Sequence, residues 1–408
     1  MNMRKTCLCI SSAVLLLACV CQGEDSPAPT TPSLFATHWS RKTIYRSPQK
    51  PGYTCWVGAW IMPDKSLMVT FKQAIGPVEG RPRSTEFFKQ IGEDFTITHP
   101  TYDYPGLNLA SVYLRSTDHG KTWVKAAEDT FSGPIDRINW GGSHVALLDG
   151  SILRAEDGSQ MPFVLDVPRR IFFQRSHDLG KTWGPPEIPP EPKRPVEGKL
   201  GDLGDCISRV RRLRDGRLIA TGVARPDPAN RDVGDPVIMF SSDEAKTWIP
   251  QKFILPPGHR KPGVWNEWDC AELPNGDLFG VFRRNDPNTS KQVRWQGIFK
   301  KKGDNTWDLE NYGPSVLKHS GHPELLATKE GVILHIASTG IHWTDDAGTN
   351  WHQLTSADGK PVPGTRYYPK SVQTEDGQIF VCSHAGSDNG YGDSDQSINM
   401  DIFSLTKR

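Results

Sequence analysis

The stretch "STDHGKTW" at residues 116–123 returns as "SHDLGKTW" at 176–183, "SSDEAKTW" at 241–248 and "TDDAGTNW" at 344–351. The copies share the pattern S/T-x-D-x-G-x-T-W, with Ala245 in place of glycine in the third. A short Asp side chain accepts backbone N–H bonds inside a tight turn, and glycine permits the positive φ that such a corner requires. We therefore interpret the motif as structural and expect its tryptophan to lie between neighbouring repeat units.

A second marker alternates with the Trp motif. It is a two-residue turn of the Asp-Gly type between apolar runs, which is the strongest short-range signal of a β-hairpin. Six turns occur, 46 to 85 residues apart, and their first residues are Asp64, Asp149, Asp215, Asn275, Glu330 and Asp376. The Trp motif follows the first three turns and the fifth, and a degenerate copy, "KKKGDNTW" at 300–307, follows the fourth.

Repeats of this length with several short strands predict a radial array of small sheets. We predict an all-β fold, a six-bladed β-propeller with four-stranded antiparallel blades. The N-terminal "KTIYRS" at 42–47 is expected to pair with the C-terminal "NMDIFSL" at 399–405 and close the ring, which protects the sheet edges.

The N-terminus has the pattern of a targeting segment. Two basic residues precede the apolar run 7–21 and a polar exit, so we predict a signal peptide at 1–23, a linker at 24–36 and the propeller at 37–408. The run is too short for a favourable membrane span. "LLAC" at 16–19 also resembles a lipoprotein box, which would leave a lipid anchor on Cys19. The chain is expected to be secreted or periplasmic in either case.

Composition excludes several classes of partner. The formal net charge is +1, from 48 basic and 47 acidic residues, so bulk charge predicts no nucleic-acid partner. Four of the eight cysteines lie in the leader. The others are scattered, have no zinc-site spacing and are expected to be buried, with at most one disulfide. We expect no metal and no cofactor.

Strand geometry predicts where a site would form. Residues about eight positions before and after each turn fall at the opposite ends of the paired strands, on one face of the ring. Loops and strand ends on one face of a rigid scaffold are where binding and catalytic groups usually lie. This offset selects Trp56, Lys72, Glu267, Arg283, His322, Ser338, Tyr368 and His384.

The Trp motif resembles the Asp box of sialidases, and two further segments carry this resemblance. They are "NEWDCAELPNGDLFGVFRRN" at 266–285 and "YYPKSVQTEDGQIFV" at 367–381. The resemblance implies that Tyr368 is the nucleophile, that Glu267 accepts its proton and that Arg283 holds the substrate carboxylate. It also implies a separate acid, for which Asp103 is our candidate and Asp94 the rival.

The chemistry agrees with these roles. A substrate with a carboxylate on its reacting carbon repels an anionic nucleophile, whereas a neutral phenol avoids that repulsion if a nearby carboxylate takes its proton. Sialidases are retaining glycosidases that use a tyrosine in this way. An acid then protonates the leaving oxygen.

The chain departs from the family at two of three carboxylate-binding arginines. The first position holds Cys55, and the segment 331–343, which should carry the third, contains no arginine. Bidentate arginine–carboxylate pairs are hard to replace. The side chains that offer a replacement are Lys72, Arg154, Arg225, Arg284, His322 and His384, and Trp56 is a further substrate-binding candidate.

These observations predict an exo-acting glycoside hydrolase whose partner is a glycan with a terminal acidic sugar, sialic acid or an analogue. Two alternatives stay open because of the missing arginines. One is another carbohydrate-active enzyme, a hydrolase or lyase of uronic-acid glycans. The other is a non-catalytic glycan-binding propeller, although a binding module has no need of a base beside a phenol.

Overall fold

A computed structural model describes residues 34–48, 53–75, 108–131, 143–157, 171–188, 207–224, 235–254, 265–286, 289, 291–303, 306–385 and 397–407. Every regular element in these ranges is a strand, and the strands form six sheets arranged as a six-bladed β-propeller. The predicted fold class is confirmed. No helix in the described part of the chain is long and apolar enough to cross a membrane.

Blades 1 to 3 follow one another along the chain. Blade 1 contains β2 (Tyr53–Ile61), β3 (Leu67–Ile75), β4 (Asn108–Ser116) and β5 (Val124–Phe131). Blade 2 contains β6 (Ser143–Ala146), β7 (Ile152–Asp157) and β8 (Ile171–Ser176). Blade 3 contains β9 (Ile207–Arg212), β10 (Leu218–Ala224), β11 (Asp235–Ser241) and β12 (Ile249–Pro250).

Blades 4 to 6 complete the ring, and blades 4 and 6 each gain a short parallel strand. Blade 4 contains β14 (Trp265–Glu272), β15 (Leu278–Asn285), β16 (Gln292–Gly303) and β17 (Thr306–Pro314), with β13 (Lys252–Ile254) added. Blade 5 contains β18 (Glu324–Ala327), β19 (Ile333–Ala337), β20 (Gly340–Thr344) and β21 (His352–Gln353). Blade 6 contains β23 (Tyr367–Gln373), β24 (Ile379–His384), β25 (Ser397–Lys407) and β1 (Leu34–Arg46), with β22 (Thr355–Ser356) added.

Each Asp-Gly-type turn joins the first two strands of one blade, as the sequence predicts. In the second turn, for example, the Asp149 carboxylate accepts hydrogen bonds from the backbone N–H and hydroxyl of Ser151. Gly150 has φ +85°, a conformation that is costly for residues with a Cβ.

The Trp motif closes the turn between the outer strands. In its second copy, Asp178 accepts a hydrogen bond from the Thr182 backbone N–H at 2.9 Å and another from its hydroxyl at 2.6 Å. Asp243 makes the same two bonds to Thr247 in the third copy. Ala245 takes φ +60° there, so the backbone strain expected at this position is present.

The tryptophans pack between blades, which confirms their predicted role. Trp248 of blade 3 stacks on Phe173 of blade 2, with ring centroids 4.6 Å apart. Trp307, from the degenerate copy, stacks on Phe240 of blade 3 at the same distance. Each Trp thus helps to fuse the cores of adjacent blades, because aromatic pairs contribute more than their buried area alone.

The ring closes through the two ends of the chain. β1 pairs antiparallel with β25, with Thr43 opposite Asn399 inside the segments predicted to pair. The predicted linker 24–36 is wrong in its last three residues, because the strand begins at Leu34. Leu34 and Ala36 are 3% and 1% exposed and pair with Lys407 and Leu405. The signal-peptide region 1–23 and Cys19 lie outside the described residues.

Two cysteines in the described part of the chain, Cys270 and Cys382, are buried free thiols. Burial raises the pKa of both thiols. They act as small apolar core residues, as expected. Cys206 lies outside the described residues.

Candidate active site

The first strand of every blade faces the centre of the propeller. These inner strands, β2, β6, β9, β14, β18 and β23, each contact the inner strands of both neighbouring blades. Among the described residues, the positions eight residues before the turns lie at or beside the same end of these strands. Glu267, His322 and Tyr368 are therefore contributed by three successive blades.

Irregular pairing at these strand ends directs the side chains. The register shifts between Trp265 and Glu267 in β14 and between Tyr367 and Lys370 in β23. Tyr368 has φ +50°. A bulge can re-aim a side chain, and a non-glycine residue in this conformation persists only where its surroundings enforce it.

Tyr368, Glu267 and Arg283 form one hydrogen-bonded group. The Tyr368 hydroxyl donates to Glu267 Oε1 at 2.9 Å. Arg283 Nη1 donates to Glu267 Oε2 at 2.6 Å and lies 3.3 Å from the Tyr368 hydroxyl. Both oxygens of the carboxylate are thus engaged, one by the phenol and one by the guanidinium.

Electrostatics keeps this carboxylate ionised. Burial alone would raise the pKa of Glu267, but the charge of Arg283 and the hydrogen bonds from Arg283 and Tyr368 hold that pKa at about 2. Burial acts against the charged form of Arg283 as well, yet Glu267 raises its pKa above the ordinary value. Glu267 is therefore an anion at neutral pH, and its carboxylate accepts the hydrogen bond from the Tyr368 phenol.

Two histidines border the tyrosine. His384 stacks against Tyr368 with ring centroids 5.9 Å apart and meets Tyr367 edge-on at 5.6 Å. The His322 ring lies 6.4 Å from the Tyr368 ring. Burial lowers the pKa of His384 to about 4. Burial and the Lys370 charge lower that of His322 to about 3, so both rings are neutral at pH 7.

The other substrate-binding candidates are not all brought to this group. Trp56 occupies the bulged position of β2 that corresponds to Tyr368, with φ +46°, and β2 packs against β23. Lys72 is buried in blade 1, where its Nζ donates to Ser111 Oγ at 2.7 Å.

Arg284 lies on the other face of β15 and does not reach the site. Its Nη1 donates to the Tyr312 hydroxyl at 3.1 Å, and its guanidinium lies over the Trp295 ring at 4.3 Å. Neighbouring strand residues point to opposite faces, so only Arg283 can face Glu267. Arg154 of blade 2 donates hydrogen bonds to Gln174 in its own blade and to Asp129 of blade 1.

Asp103 and Asp94, the two candidates for the acid, lie outside the described residues, as does Arg225. Within the described ranges, no group of three or more His, Cys, Asp or Glu side chains is arranged to hold a metal ion.

One arginine near the site was not predicted from the sequence. Arg294 on β16 is the direct cross-strand partner of Arg283 and is 1% exposed. Its Nη2 donates to the carbonyls of Ser320 and Gly321 at 2.9 and 2.6 Å. Its Nε and Nη1 have no hydrogen-bond partner within the described ranges. Burial and the nearby Arg283 charge lower its pKa to about 10, so it is still a cation.

A buried ionic network adjoins the site through Lys370, whose Nζ lies 3.3 Å from His322 Nδ1. Lys370 Nζ lies 3.3 Å from Glu324 Oε2, and Arg209 lies 3.2 Å from the other oxygen of that carboxylate. Arg211 donates to both oxygens of Asp269 at 3.0 and 2.7 Å. Buried charges persist only when paired in this way.

Among the described ionic side chains of the site and the network, positive charge exceeds negative charge. The described residues contribute five cations and three carboxylates, which is an excess of two positive charges. The cations are Arg209, Arg211, Arg283, Arg294 and Lys370, and the carboxylates are Glu267, Asp269 and Glu324. An excess of charge produces a stronger electrostatic potential in low-dielectric surroundings than in water. These described side chains therefore give the site and the network a net positive charge.

Comparison with known proteins gives matches in structure alone. No protein-family model matches the sequence, and no curated protein matches it. A protein of unknown function from Dyadobacter fermentans has a TM-score of 0.58 and 17% identity, with 92% of this chain and 100% of that chain covered.

Two glycoside hydrolases show a similar likeness. A mutant of the α-L-arabinofuranosidase Arb93a from Fusarium graminearum, solved with an iminosugar inhibitor, has a TM-score of 0.57 and 15% identity over 89% of this chain and 97% of that chain. A mutant of the NanB sialidase from Streptococcus pneumoniae has a TM-score of 0.55 and 12% identity over 88% and 70%. At these identities the likeness shows the fold.

Proposed function

We propose that this protein is an exo-acting glycoside hydrolase that cleaves a terminal acidic sugar, sialic acid or an analogue, from a glycan. The observation that carries the proposal is the 2.9 Å hydrogen bond from the Tyr368 hydroxyl to Glu267. Such a pair is the geometry of a nucleophile beside its base. Structural likeness to two glycosidases supports a carbohydrate-active role.

The geometry supports a two-step mechanism. Glu267 takes the phenol proton as Tyr368 Oη forms a bond to the anomeric carbon, and the glycosidic bond breaks as an acid protonates the leaving oxygen. Asp103 is the proposed acid. Water then attacks the glycosyl-tyrosine, gives a proton to the acid's conjugate base and releases the sugar, while Tyr368 regains its proton from Glu267.

Arg283 links substrate binding to the strength of the base. Its Nη1 donates to Glu267 at 2.6 Å in the free protein. A substrate carboxylate that attracts this guanidinium weakens its hold on Glu267 and so raises the affinity of Glu267 for a proton. The excess of two positive charges among the described ionic side chains favours the same class of substrate.

A hydrolase of a neutral sugar is the second candidate. Cys55 stands at the position of one family arginine, and the segment 331–343 lacks another. One of the structural neighbours is an α-L-arabinofuranosidase. Uronic-acid glycans, with a carboxylate elsewhere on the ring, are a further class that one assay can test beside the other two.

The test is hydrolysis of fluorogenic glycosides of N-acetylneuraminic acid, glucuronic acid and L-arabinofuranose. We expect the wild type to act on an acidic sugar, and Tyr368→Phe and Glu267→Gln to lower kcat by roughly 10²-fold or more. Tyr312→Phe is the control, since it removes a buried hydroxyl outside the site. Release of arabinose alone, or full activity of Tyr368→Phe, would overturn the proposal.

Secretion belongs to the same proposal, because residues 1–23 have the pattern of a signal peptide. Intact-mass measurement of the mature protein should give a chain that starts at Glu24. A lipidated chain that starts at Cys19 is the alternative outcome.

A further inference from the structure

His322 is held in one orientation by contacts to its Nδ1 atom. This nitrogen lies 2.5 Å from the carbonyl oxygen of Pro323. A carbonyl oxygen only accepts hydrogen bonds, so Nδ1 carries the proton. In the neutral ring, Nε2 then has the free lone pair.

The charges around the ring oppose a second proton. Lys370 Nζ lies 3.3 Å from Nδ1, and Glu324 and Glu267 are the carboxylates near enough to favour the imidazolium. Burial and the Lys370 ammonium outweigh both, because the carboxylates are themselves occupied by Lys370, Arg209, Arg283 and Tyr368. The ring is therefore neutral, with an acceptor at Nε2.

The turn that carries His322 is fixed as well. Arg294 donates to the carbonyls of Ser320 and Gly321, and the Ser320 hydroxyl bonds that of Ser338 at 2.5 Å. Gly321 has φ +52°, and a Cβ there would lie 2.9 Å from the Tyr367 ring. Such support preorganises a binding group, so little ordering cost remains when a ligand arrives.

Within the described part of the chain, Nε2 is the ring nitrogen of His322 that lacks a hydrogen-bond partner. His322 is only 7% exposed, and its Nε2 has no hydrogen-bond partner among the residues that the structure describes. The ring stands between Glu267 of blade 4 and Tyr368 of blade 6, and Nδ1 is turned towards Lys370 and the ionic network. Nε2 is therefore directed away from that network.

We infer that His322 Nε2 accepts a hydrogen bond from a hydroxyl group of the bound sugar. This role rests on the proposed function and adds to it a hydrogen-bond acceptor for a hydroxyl of the sugar. Arg283 is a donor, and both oxygens of Glu267 are engaged in the free protein. A sugar hydroxyl buried without an acceptor would weaken binding, so this contact selects a ring that carries a hydroxyl at this position.

The experiment is nitrogen NMR of the full protein labelled with ¹⁵N-histidine, with the His322 signals assigned by their loss in His322→Gln. We expect the Nδ1–H tautomer between pH 5 and 8. Titration with N-acetylneuraminic acid, glucuronic acid and L-arabinose should move the Nε2 signal towards that of a hydrogen-bonded acceptor for the sugar that binds.

Affinities of variants for the same sugar give the second measurement. His322→Gln places an amide oxygen near the Nε2 position and should bind within about threefold of the wild type, whereas His322→Leu should lose roughly tenfold or more. Equal affinity of the two variants would overturn the role.

The NMR outcomes separate this role from the proposed function. A proton on Nε2 in the free protein, or an unmoved Nε2 signal when a sugar shifts other signals, overturns the role of His322 and leaves the hydrolase proposal in place. If no sugar changes any signal and none of the glycosides is hydrolysed, both are overturned.

Discussion

Tyr368 adopts a backbone conformation that a tyrosine rarely takes, with φ +50° at a break in the β23 ladder. Strain of this kind costs on the order of 1–3 kcal/mol. The packing of His384 and Tyr367 against its ring and the bond to Glu267 offset that cost. The strain turns the phenol towards blade 4, where Glu267 lies.

Arg283 sets the protonation state of Glu267. In Arg283→Met, burial acts on the carboxyl with much less opposition, so its pKa should rise from about 2 to above its ordinary range. The change is measurable by a ¹³C NMR titration of the glutamate carboxyl. Arg284→Met is the matched control, because Arg284 faces Tyr312 and Trp295, and it should leave the titration unchanged. A Glu267 pKa that stays low without Arg283 would contradict this account.

At the scale of the element, the corner of the Trp motif combines two constraints. Gly180 has φ +92°, and a Cβ there would lie 3.0 Å from the Tyr113 ring of blade 1. The turn is thus strained for other residues and also packed against the next blade. Ala245 shows that φ alone does not exclude alanine, since it sits at φ +60° in the third copy.

Gly180→Ala should therefore lower the free energy of unfolding by about 2 kcal/mol or more, from backbone strain and overpacking together. Gly150→Ala is the control. Gly150 has φ +85°, but an added Cβ would have no atom within 4 Å. Only backbone strain should therefore lower the free energy of unfolding, by about 1 kcal/mol. Denaturant titration of both variants measures the difference. Equal losses would show that contact with Tyr113 contributes nothing.

At the scale of the whole molecule, the antiparallel pairing of β1 with β25 closes the propeller ring. An ion pair lies within it, with Arg41 Nε and Nη2 donating to the two oxygens of Asp401 at 2.5 and 2.7 Å. The Asp401 side chain is fully buried. Loss of its partner leaves a buried carboxyl uncompensated.

Arg41→Met should lower the free energy of unfolding by about 3 kcal/mol. Lys360→Met is the matched control, because Lys360 and Asp358 form a pair whose side chains are 81% and 55% exposed. Such a pair contributes little. Calorimetric unfolding of both variants should show a drop in the melting temperature for Arg41→Met alone. Equal shifts would mean that the closure does not depend on this pair.

Most of the architecture could be predicted because its signals are local. The Asp-Gly-type turns and the Trp motif each span a few residues, and their order along the chain defines the blades. Glu267, His322 and Tyr368 could be found for the same reason, since each lies eight residues before a turn.

What could not be predicted depends on contacts between distant segments. Arg294 joins the site through its register with Arg283, and the network of Arg209, Glu324 and Lys370 brings together inner strands of three blades. No short motif encodes either contact. Arg284 was a candidate because it is the neighbour of Arg283 in sequence, and its side chain lies on the opposite face of the strand, against Tyr312 and Trp295.

The central claim is that Tyr368 is a nucleophile with Glu267 as its base. The most direct measurement is mass spectrometry of the protein after reaction with a glycosyl fluoride of its preferred sugar that carries a second fluorine beside the anomeric carbon. That fluorine slows the oxocarbenium-like second step, so the covalent intermediate accumulates. We predict one sugar per chain, attached to Tyr368 and absent from Tyr368→Phe. An adduct on another residue, or an active enzyme that forms none, would contradict the account.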